Sequence, residues 1–244
     1  MSQKTEFKIE YSCVPLKENA VPAIIVAAGS FMRMGGIHKQ FATLCGIPVV
    51  VRSLLAFENS PYISGIVLVV REEDVLEMQN LCDRYSITKI RDIVKGGSDR
   101  HESVMNGIAR LDKKEQFVLI HDGARPLVSA EIIEDAANGL KTADATVSAV
   151  KVNDTVKLSK NGESVEKTVD RSGLYLAQTP QGVNISKYKA ASETLKGADF
   201  TDDASVMEQA GYNVRITLGD SKNIKITTPV DIKLAEMYIK GEEE

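Results

Sequence analysis

Short apolar runs alternate with longer amphipathic stretches through the first 150 residues, and this alternation limits the possible folds more than any other feature. The runs are rich in Val and Ile and nearly continuous, as in strands that are covered on both faces. The predicted strands lie at 23–26, 65–70, 90–94, 117–120 and 145–150, and the predicted helices at 49–57, 73–85, 103–111 and 131–140. Strand–helix alternation with short connections predicts an α/β fold with a doubly wound, mostly parallel sheet.

The pattern changes after residue 150. Two β-prone pieces, 154–158 and 164–169, flank the sequence Lys160-Asn161-Gly162, and Asn-Gly is favoured in hairpin turns. The pieces carry few apolar residues that a core could bury. We therefore predict that segment 151–169 is a hairpin arm that projects from the domain and is ordered by a second subunit. An ordinary surface hairpin is the alternative.

The chain then returns to the domain. A helix is predicted from Thr201-Asp202-Asp203 to about residue 210, followed by a strand at 213–218. Thr228-Pro229-Val230-Asp231 has the N-cap residue, the first-turn Pro and the acidic residue of a helix start, and that helix should run to about residue 240. We divide the chain into an N-terminal extension, 1–20, and one domain, 21–240.

Composition excludes several classes of function. The 244 residues include 30 Lys+Arg and 34 Asp+Glu, and this net charge of −4 argues against a dedicated nucleic-acid binder. The apolar runs are too short for a membrane helix, which needs about 18 residues, and the amino terminus has no apolar signal core. Three cysteines without C-x-x-C spacing predict neither a disulfide framework nor a zinc site. We predict a cytoplasmic protein with no membrane partner.

The first candidate motif follows the first predicted strand. Ala27-Ala28-Gly29 would let a ligand approach the backbone, whose N–H groups can hold phosphate oxygens. Arg33 and Lys39 place two cations in the same loop. The P-loop and dinucleotide-binding glycine patterns are both missing from this sequence. The alternative is a glycine-rich loop whose cations are merely solvated.

Two further motifs follow predicted strands. Gly96-Gly97 precedes a run of polar residues that ends at Ser103. This motif could form a pocket for an anion or a base, or its serines could only cap a helix. His121-Asp122-Gly123-Ala124-Arg125 follows the strand at 117–120, where ligands bind in open parallel sheets. Asp122 and Arg125 suit a divalent cation and a phosphate, respectively. Alternatively, Asp122 caps a turn and Arg125 is a surface residue.

A fourth group lies on and after the predicted arm, and consists of Thr155, Asp170-Arg171, Gln178-Thr179-Pro180-Gln181-Gly182 and Asn223-Ile224-Lys225. Each cation of this group could also be an ordinary surface charge. Taken together, the motifs supply several cations and one well-placed acid, without a nucleophile–base pair. Nucleotidyl transfer needs little more than this, because it proceeds by positioning and by neutralising charge at phosphorus.

These motifs, in this order, resemble the 2-C-methyl-D-erythritol 4-phosphate cytidylyltransferase family. The resemblance rests on Ala27–Met34, Lys39-Gln40, Gly96-Gly97 through Ser103, 121–126, 168–171, 178–182, 201–205 and Asn223-Ile224-Lys225. It implies a Rossmann-like fold of the nucleotidyltransferase type, and transfer of CMP from CTP to 2-C-methyl-D-erythritol 4-phosphate with release of pyrophosphate. This reaction belongs to the non-mevalonate isoprenoid pathway and requires Mg²⁺.

The resemblance also implies roles for individual residues. The residues implied in catalysis are Arg33, Lys39, Lys225 and Arg171. Those implied in binding the nucleotide are Ala27, Ala28, Gly29, Gly97, Ser103, Gly123 and Asp122. Those implied in binding the acceptor are Asp122, Arg125, Thr155, Arg171 and Thr179. Mg²⁺ would be held mainly by the CTP phosphates, with a share for Asp122. The arm would form a homodimer, so that Arg171 and Thr179 could serve the neighbouring subunit's site.

One departure from the family pattern concerns the first loop. Phe31 stands where the family usually has Gly, which bears on the path of the triphosphate loop. Two alternatives stay open, the first because a related enzyme would share the nucleotide loop and the second because of Phe31. The chain could transfer CMP to another polyol phosphate, such as ribitol 5-phosphate, or it could bind a nucleotide without catalysis.

Overall fold

The computed structural model of the protein describes residues 15–29 and 40–241. The strands are β1 (Val21–Val26), β2 (Thr43–Leu44), β3 (Ile47–Pro48), β4 (Ile63–Val70), β5 (Ile90–Lys95), β6 (Phe117–Asp122), β7 (Ala145–Lys151), β8 (Val156–Leu158), β9 (Lys167–Val169), β10 (Tyr175–Asn184) and β11 (Val214–Leu218). The α-helices are α1 (Val49–Glu58), α2 (Val75–Arg84), α3 (Arg100–Ile108), α4 (Ala130–Gly139), α5 (Ile185–Thr194), α6 (Asp203–Gln209) and α7 (Pro229–Lys240).

Seven strands form one sheet in the order β11-β7-β10-β6-β1-β4-β5. β1 pairs in parallel with both β4 and β6, and β4 pairs in parallel with β5. β10 is the exception, because it runs antiparallel to both of its neighbours, β6 and β7. The mostly parallel sheet predicted from the alternation of strands and helices is confirmed.

Helices cover both faces of this sheet, which makes the fold doubly wound as predicted. On one face, α1, α2 and α4 pack their apolar residues, such as Leu54, Met78 and Ile132, against β1 and β4. On the other face, α3, α5 and α6 bury Val104, Tyr188 and Val206. Burial from both sides explains why the central strands are nearly continuous runs of Val, Ile and Leu.

The predicted element bounds agree with the structure within a few residues, and the largest shift is at α3. This helix begins at Arg100, three residues before the predicted start, because the side chain of Asp99 caps it by accepting the backbone N–H of Glu102 at 2.7 Å. The start of α7 is as predicted, with Thr228 as N-cap, Pro229 in the first turn, and a capping box formed with Asp231.

β10 and α5 were not predicted from the sequence. Pro180 lies within β10, and a proline in the middle of a run argues against a central strand. The structure accommodates it in an irregularity: the pairing with β7 is interrupted between Ala177 and Gln181, so three residues of β10 lack a β7 partner. Such bulges redirect side chains, and this one turns Thr179 toward the end of β6.

The hairpin predicted after β7 is present. β8 and β9 pair only with each other, outside the seven-stranded sheet, and nearly all residues of 151–177 are exposed. The turn differs from a two-residue Asn-Gly turn, because only Gly162 has positive φ and the Asn161 carboxamide accepts the backbone N–H groups of Glu163 and Ser164. Its function as an arm, and the division at residue 20, stay predictions.

No helix in the described part of the chain combines the length and apolar character needed to cross a membrane. The cytoplasmic location stays a prediction.

Candidate active site

A cleft of about 370 Å³ lies at the carboxyl ends of the central strands. The strand order reverses here, since β4 lies on one side of β1 and β6 on the other, and such a switch point is where open α/β sheets bind ligands. The cleft is lined by Val26, Ala28, Gly29, Gln40, Gly97, Ser98, Asp99, Arg100, Ser103, Asp122, Ala124 and Lys225. Five separate parts of the sequence therefore meet in one site.

Two glycine-containing loops pack closely together at one wall of the cleft. A Cβ at Gly96 would lie 2.5 Å from the Cβ of Ala28 and 2.9 Å from the Oγ of Ser103, so a side chain there would push the loops apart. Ser103 is buried, accepts the backbone N–H of Gly97 at 3.0 Å and donates to the carbonyl of Asp99 at 2.8 Å. Its hydroxyl thus fixes the turn before α3.

The opposite wall carries a cluster of charges around Asp122, the last residue of β6. The Nζ of Lys225 lies 2.8 Å from its Oδ2, the Nε of Arg100 lies 3.3 Å from its Oδ1, and the Nε of Arg125 lies 3.8 Å from Oδ2. Asp122 is thus the centre of three cations and not merely a turn-capping residue. Even with the carboxylate of Asp203, which also pairs with Arg100, the three cations outnumber the acidic groups and leave a net positive charge that suits phosphate.

The same cations keep Asp122 ionised. Burial alone would raise its pKa, but the positive charges of Arg100 and Lys225 outweigh burial and hold the pKa well below its usual range. A carboxylate that stays ionised near neutral pH cannot donate a proton to a leaving group. Asp122 is therefore suited to holding cations in place and not to acid catalysis.

Behind this wall lies a small buried network. The Nε2 of His121 is 3.2 Å from the carbonyl of Arg125, so Nε2 carries the proton, and Nδ1 accepts from the hydroxyl of Thr179 at 3.0 Å. The Thr179 oxygen in turn accepts the backbone N–H of Asp122 at 3.1 Å. Thr179 thus supports the Asp122 backbone of its own chain from a buried position.

Burial has a measurable consequence for His121. Desolvation lowers the pKa of this fully buried imidazole to about 4. Because the unfolded chain takes up the proton near pH 6.5, the free energy of unfolding should fall by about 2 kcal/mol between pH 7 and pH 5 on account of this group. Urea unfolding at both pH values checks this, and His121→Gln should remove that part of the decrease. Equal decreases in the two proteins would contradict the assignment.

The structure brings together many of the residues predicted for the site, but not all of them. Ala28, Gly29, Gly97, Ser103, Asp122 and Lys225 line the cleft. Ala27 and Gly123 lie just beneath it, where their backbone N–H groups donate to the carbonyls of Val69 and Val26. Arg33 and Lys39, like Phe31, lie outside the described residues.

Thr155 and Arg171 are placed elsewhere. Both are exposed in the segment that contains the hairpin, and neither lines the cleft. The guanidinium of Arg171 donates to the backbone carbonyl of Asn153, which joins the two sides of the hairpin base. Their predicted roles toward the acceptor stay predictions.

No role was predicted for Arg100, and Asp203 was assigned only to a helix start and to the 201–205 motif. In the structure, Nη2 of Arg100 lies 2.7 Å from Oδ2 of Asp203, in addition to the contact with Asp122. Arg100 lies within the Gly96–Ser103 motif, so its position beside the glycine turn was a signal that could have been used. No local pattern pairs it with Asp203, which is 103 residues away.

Comparisons with known proteins agree with this geometry. The family model for 2-C-methyl-D-erythritol 4-phosphate cytidylyltransferase matches residues 21–241. A relative of that name from Geobacter metallireducens is 40% identical over 228 residues, covering 91% of this chain and 98% of the relative. One from Geobacillus kaustophilus is 43% identical over 220 residues, covering 89% and 96%. The chain belongs to this family.

A solved structure supports the same assignment. The crystal structure of 4-diphosphocytidyl-2C-methyl-D-erythritol synthase from Anaerococcus prevotii is 30% identical, superposes with a TM-score of 0.80, and is matched over 91% of this chain and 98% of its own. The resemblance to the 2-C-methyl-D-erythritol 4-phosphate cytidylyltransferase family that the motifs indicated is thus confirmed, and so is the α/β fold that it implied.

Proposed function

We propose that the cleft at the ends of β1 and β6 transfers CMP from CTP to 2-C-methyl-D-erythritol 4-phosphate, the reaction of the family to which the chain belongs. One observation carries this proposal: Lys225 and Arg125 meet Asp122 beside a pair of glycine-containing loops that line the cleft. Backbone N–H groups and cations at strand ends are the groups that bind phosphates.

The chemistry requires no general base. A phosphate oxygen of the acceptor attacks the α-phosphorus of CTP, the bond from that phosphorus to the bridging oxygen breaks, and pyrophosphate leaves with the electron pair. A phosphate monoester has its second pKa near 6, so the attacking oxygen is already ionised at about pH 7. The main obstacle is repulsion between two anions, which nearby cations lower.

In this proposal the cations bind different groups of the two substrates. Arg33 and Lys39 hold the triphosphate and stabilise the charge that develops at the α-phosphorus. Lys225, oriented by Asp122, lies beside the attacking phosphate oxygen, and Arg125 faces the acceptor. The loops containing Ala28, Gly29, Gly97 and Ser103 hold the cytidine part. Each charge-assisted contact contributes about 1.5–3 kcal/mol.

Mg²⁺ is the cofactor in this proposal, and its placement follows from the donors available. The described residues contain no cluster of three or more acidic, His or Cys side chains that could hold a metal ion alone. Both oxygens of Asp122 already face cations. The residues therefore fit a metal ion held mainly by the phosphate oxygens of CTP, with Asp122 at its edge. When bound, Mg²⁺ neutralises triphosphate charge.

The acceptor is tested by measuring pyrophosphate release from CTP. We expect release with 2-C-methyl-D-erythritol 4-phosphate, and a kcat/KM at least about 100-fold lower with ribitol 5-phosphate, since a site built for one polyol leaves polar groups unpaired with another. A preference for ribitol 5-phosphate would contradict the acceptor assignment. CTP binding without release in the presence of either acceptor would instead identify a non-catalytic nucleotide-binding protein.

We also propose that the hairpin joins two copies of the chain. Leu158, Val165 and Leu176 are 40%, 61% and 58% exposed on the hairpin and the adjoining part of β10, a concentration of apolar surface that a second subunit would cover. In such a homodimer Thr155 and Arg171 could reach the acceptor in the neighbouring cleft. Thr179 serves its own chain in this proposal, because it supports Asp122 from within.

The double substitution Leu158→Asp, Val165→Asp tests this interface. We expect the mass in solution to fall from two chains to one, and kcat/KM for the acceptor to fall at least about 10-fold as Arg171 loses its position. Leu76→Asp is the matched control, since Leu76 is 74% exposed on α2, outside the hairpin. A monomeric variant with full activity would show that Arg171 does not act across the interface.

A further inference from the structure

We propose that Arg100 is a positioning residue for cytidylyl transfer: anchored by the buried Asp203, it fixes the Asp122 carboxylate in the orientation that presents Lys225 to the reacting phosphates. The inference rests on the proposed function only in the role it gives to Lys225. It adds two residues, one of them outside the cleft, to the machinery of the site.

Four charged side chains form a row with alternating sign from the protein interior to the cleft. Nη2 of Arg100 lies 2.7 Å from Oδ2 of Asp203, and its Nε lies 3.3 Å from Oδ1 of Asp122. The second oxygen of Asp122, Oδ2, is 2.8 Å from the Nζ of Lys225. Each charge thus has a partner of opposite sign on either side, except at the ends of the row.

The inner end of the row is held rigidly. Asp203 is 1% exposed, and its Oδ1 accepts the hydroxyl of Tyr188, itself fully buried, at 2.9 Å. The turn that carries Asp203 is fixed in addition by the capping box that Asp202 forms with Ser205. Asp203 therefore cannot follow Arg100 if the guanidinium moves, and it serves as a fixed anchor for it.

The outer end of the row is the part that needs fixing. A carboxylate can rotate about its terminal bond, and Asp122 has a competing cation, Arg125, whose Nε is 3.8 Å from Oδ2. While Arg100 occupies Oδ1, Oδ2 remains directed toward Lys225. Because the exposed Lys225 side chain is flexible, this contact determines where its ammonium group lies. A misplacement of about 1 Å in such a site can cost about 100-fold in rate.

A purely structural role is the competing explanation, since Arg100 also links α3 to α6. Asp203→Asn distinguishes the positioning role from the structural role. It keeps the size of the side chain and can still accept a hydrogen bond from the hydroxyl of Tyr188, but it loses the charge that anchors Arg100. We expect kcat to fall by about 10- to 50-fold, with KM for CTP changed by less than about threefold. Asp74→Asn is the matched control: it removes the charge of another buried aspartate, whose Oδ2 lies 2.7 Å from the Nε of Arg71, outside the cleft.

The two variants should therefore differ in their effect on kcat. Asp74→Asn should lower the midpoint of thermal unfolding and keep kcat within about threefold of the unmodified protein. If Asp203→Asn were folded and had normal kcat, or if both variants lost kcat in proportion to their stability, the positioning role would be overturned. Pyrophosphate release by the unmodified protein is measured alongside, because its absence would contradict the proposed function and not this inference.

Arg100→Ala gives a second test that does not depend on the folding of Asp203→Asn. Millimolar guanidinium chloride should restore at least about fivefold of the lost kcat, since the free cation can occupy the space between the two carboxylates. Sodium chloride at the same concentration should not. A folded Arg100→Ala protein with normal kcat would overturn the proposal, as would equal recovery with both salts.

Discussion

Replacing Lys225 with Met should lower kcat by about 100- to 1,000-fold, the effect of losing one fixed charge that faces a reacting group. The side chain lies in the cleft with its ammonium group 2.8 Å from Asp122, and its substitution leaves the core untouched. The unfolding midpoint should therefore change little while turnover falls. Initial rates of pyrophosphate release, with CTP and acceptor varied in turn, measure the effect.

A matched control is available on α7. Lys233→Met removes the same charge from an exposed helix position outside the cleft, and its kcat should remain unchanged. A Lys225→Met protein with more than about one-third of normal kcat would show that Lys225 is not near the attacking oxygen. A change confined to KM for the acceptor would assign Lys225 to binding alone.

Replacing Asp122 with Asn should affect activity and stability together. The substitution leaves Arg100, Lys225 and Arg125 around a neutral group, so the cations repel one another and lose their orientation. We expect kcat to fall by at least about 100-fold, and the free energy of unfolding to fall by about 3–5 kcal/mol at pH 7, as when one partner of a buried ion pair is removed.

The stability effect should depend on pH in a defined direction. The neighbouring cations hold the pKa of the Asp122 carboxyl below its usual range, so its contribution is complete at neutral pH and decreases as pH falls below about 4. The difference between the two proteins in urea unfolding should shrink by about 1.4 kcal/mol per pH unit below that point. A constant difference from pH 7 to pH 3 would show that the charge of Asp122 is not responsible.

Much of the fold was predictable because the central strands are buried on both faces. Short continuous runs of Val and Ile such as those of β1 and β4 predict strands when amphipathic helices follow them. β10 was not predictable on this basis, because Pro180 and the polar residues around it lack the pattern of a central strand. Its place in the sheet is decided by pairing with β6 and β7, which are distant in sequence.

The site was predictable to the extent that its residues lie in short motifs at strand ends. Asp122 ends β6, and Gly97 lies two residues after the end of β5, so the topology alone brings them to one edge of the sheet. The pairing of Arg100 with Asp203 was not accessible, since it depends on how α6 packs beside α3. The resemblance had allowed Arg171 to serve a neighbouring subunit, but no local pattern indicated that Thr155 also lies outside the cleft.

The cleft combines residues that are far apart in the sequence, and this has a consequence for the chain during its synthesis. The cleft is bounded by residues near the start of the chain, such as Ala28, and by Lys225, which comes after the last strand, β11. The Arg125 guanidinium likewise donates a hydrogen bond to the carbonyl of Asn223, which is synthesised 98 residues later. A chain still attached to the ribosome can therefore complete most of its sheet but cannot neutralise Asp122 fully. Activity should begin only after Asn223 and Lys225 have left the ribosome, when most of the sheet can already have formed.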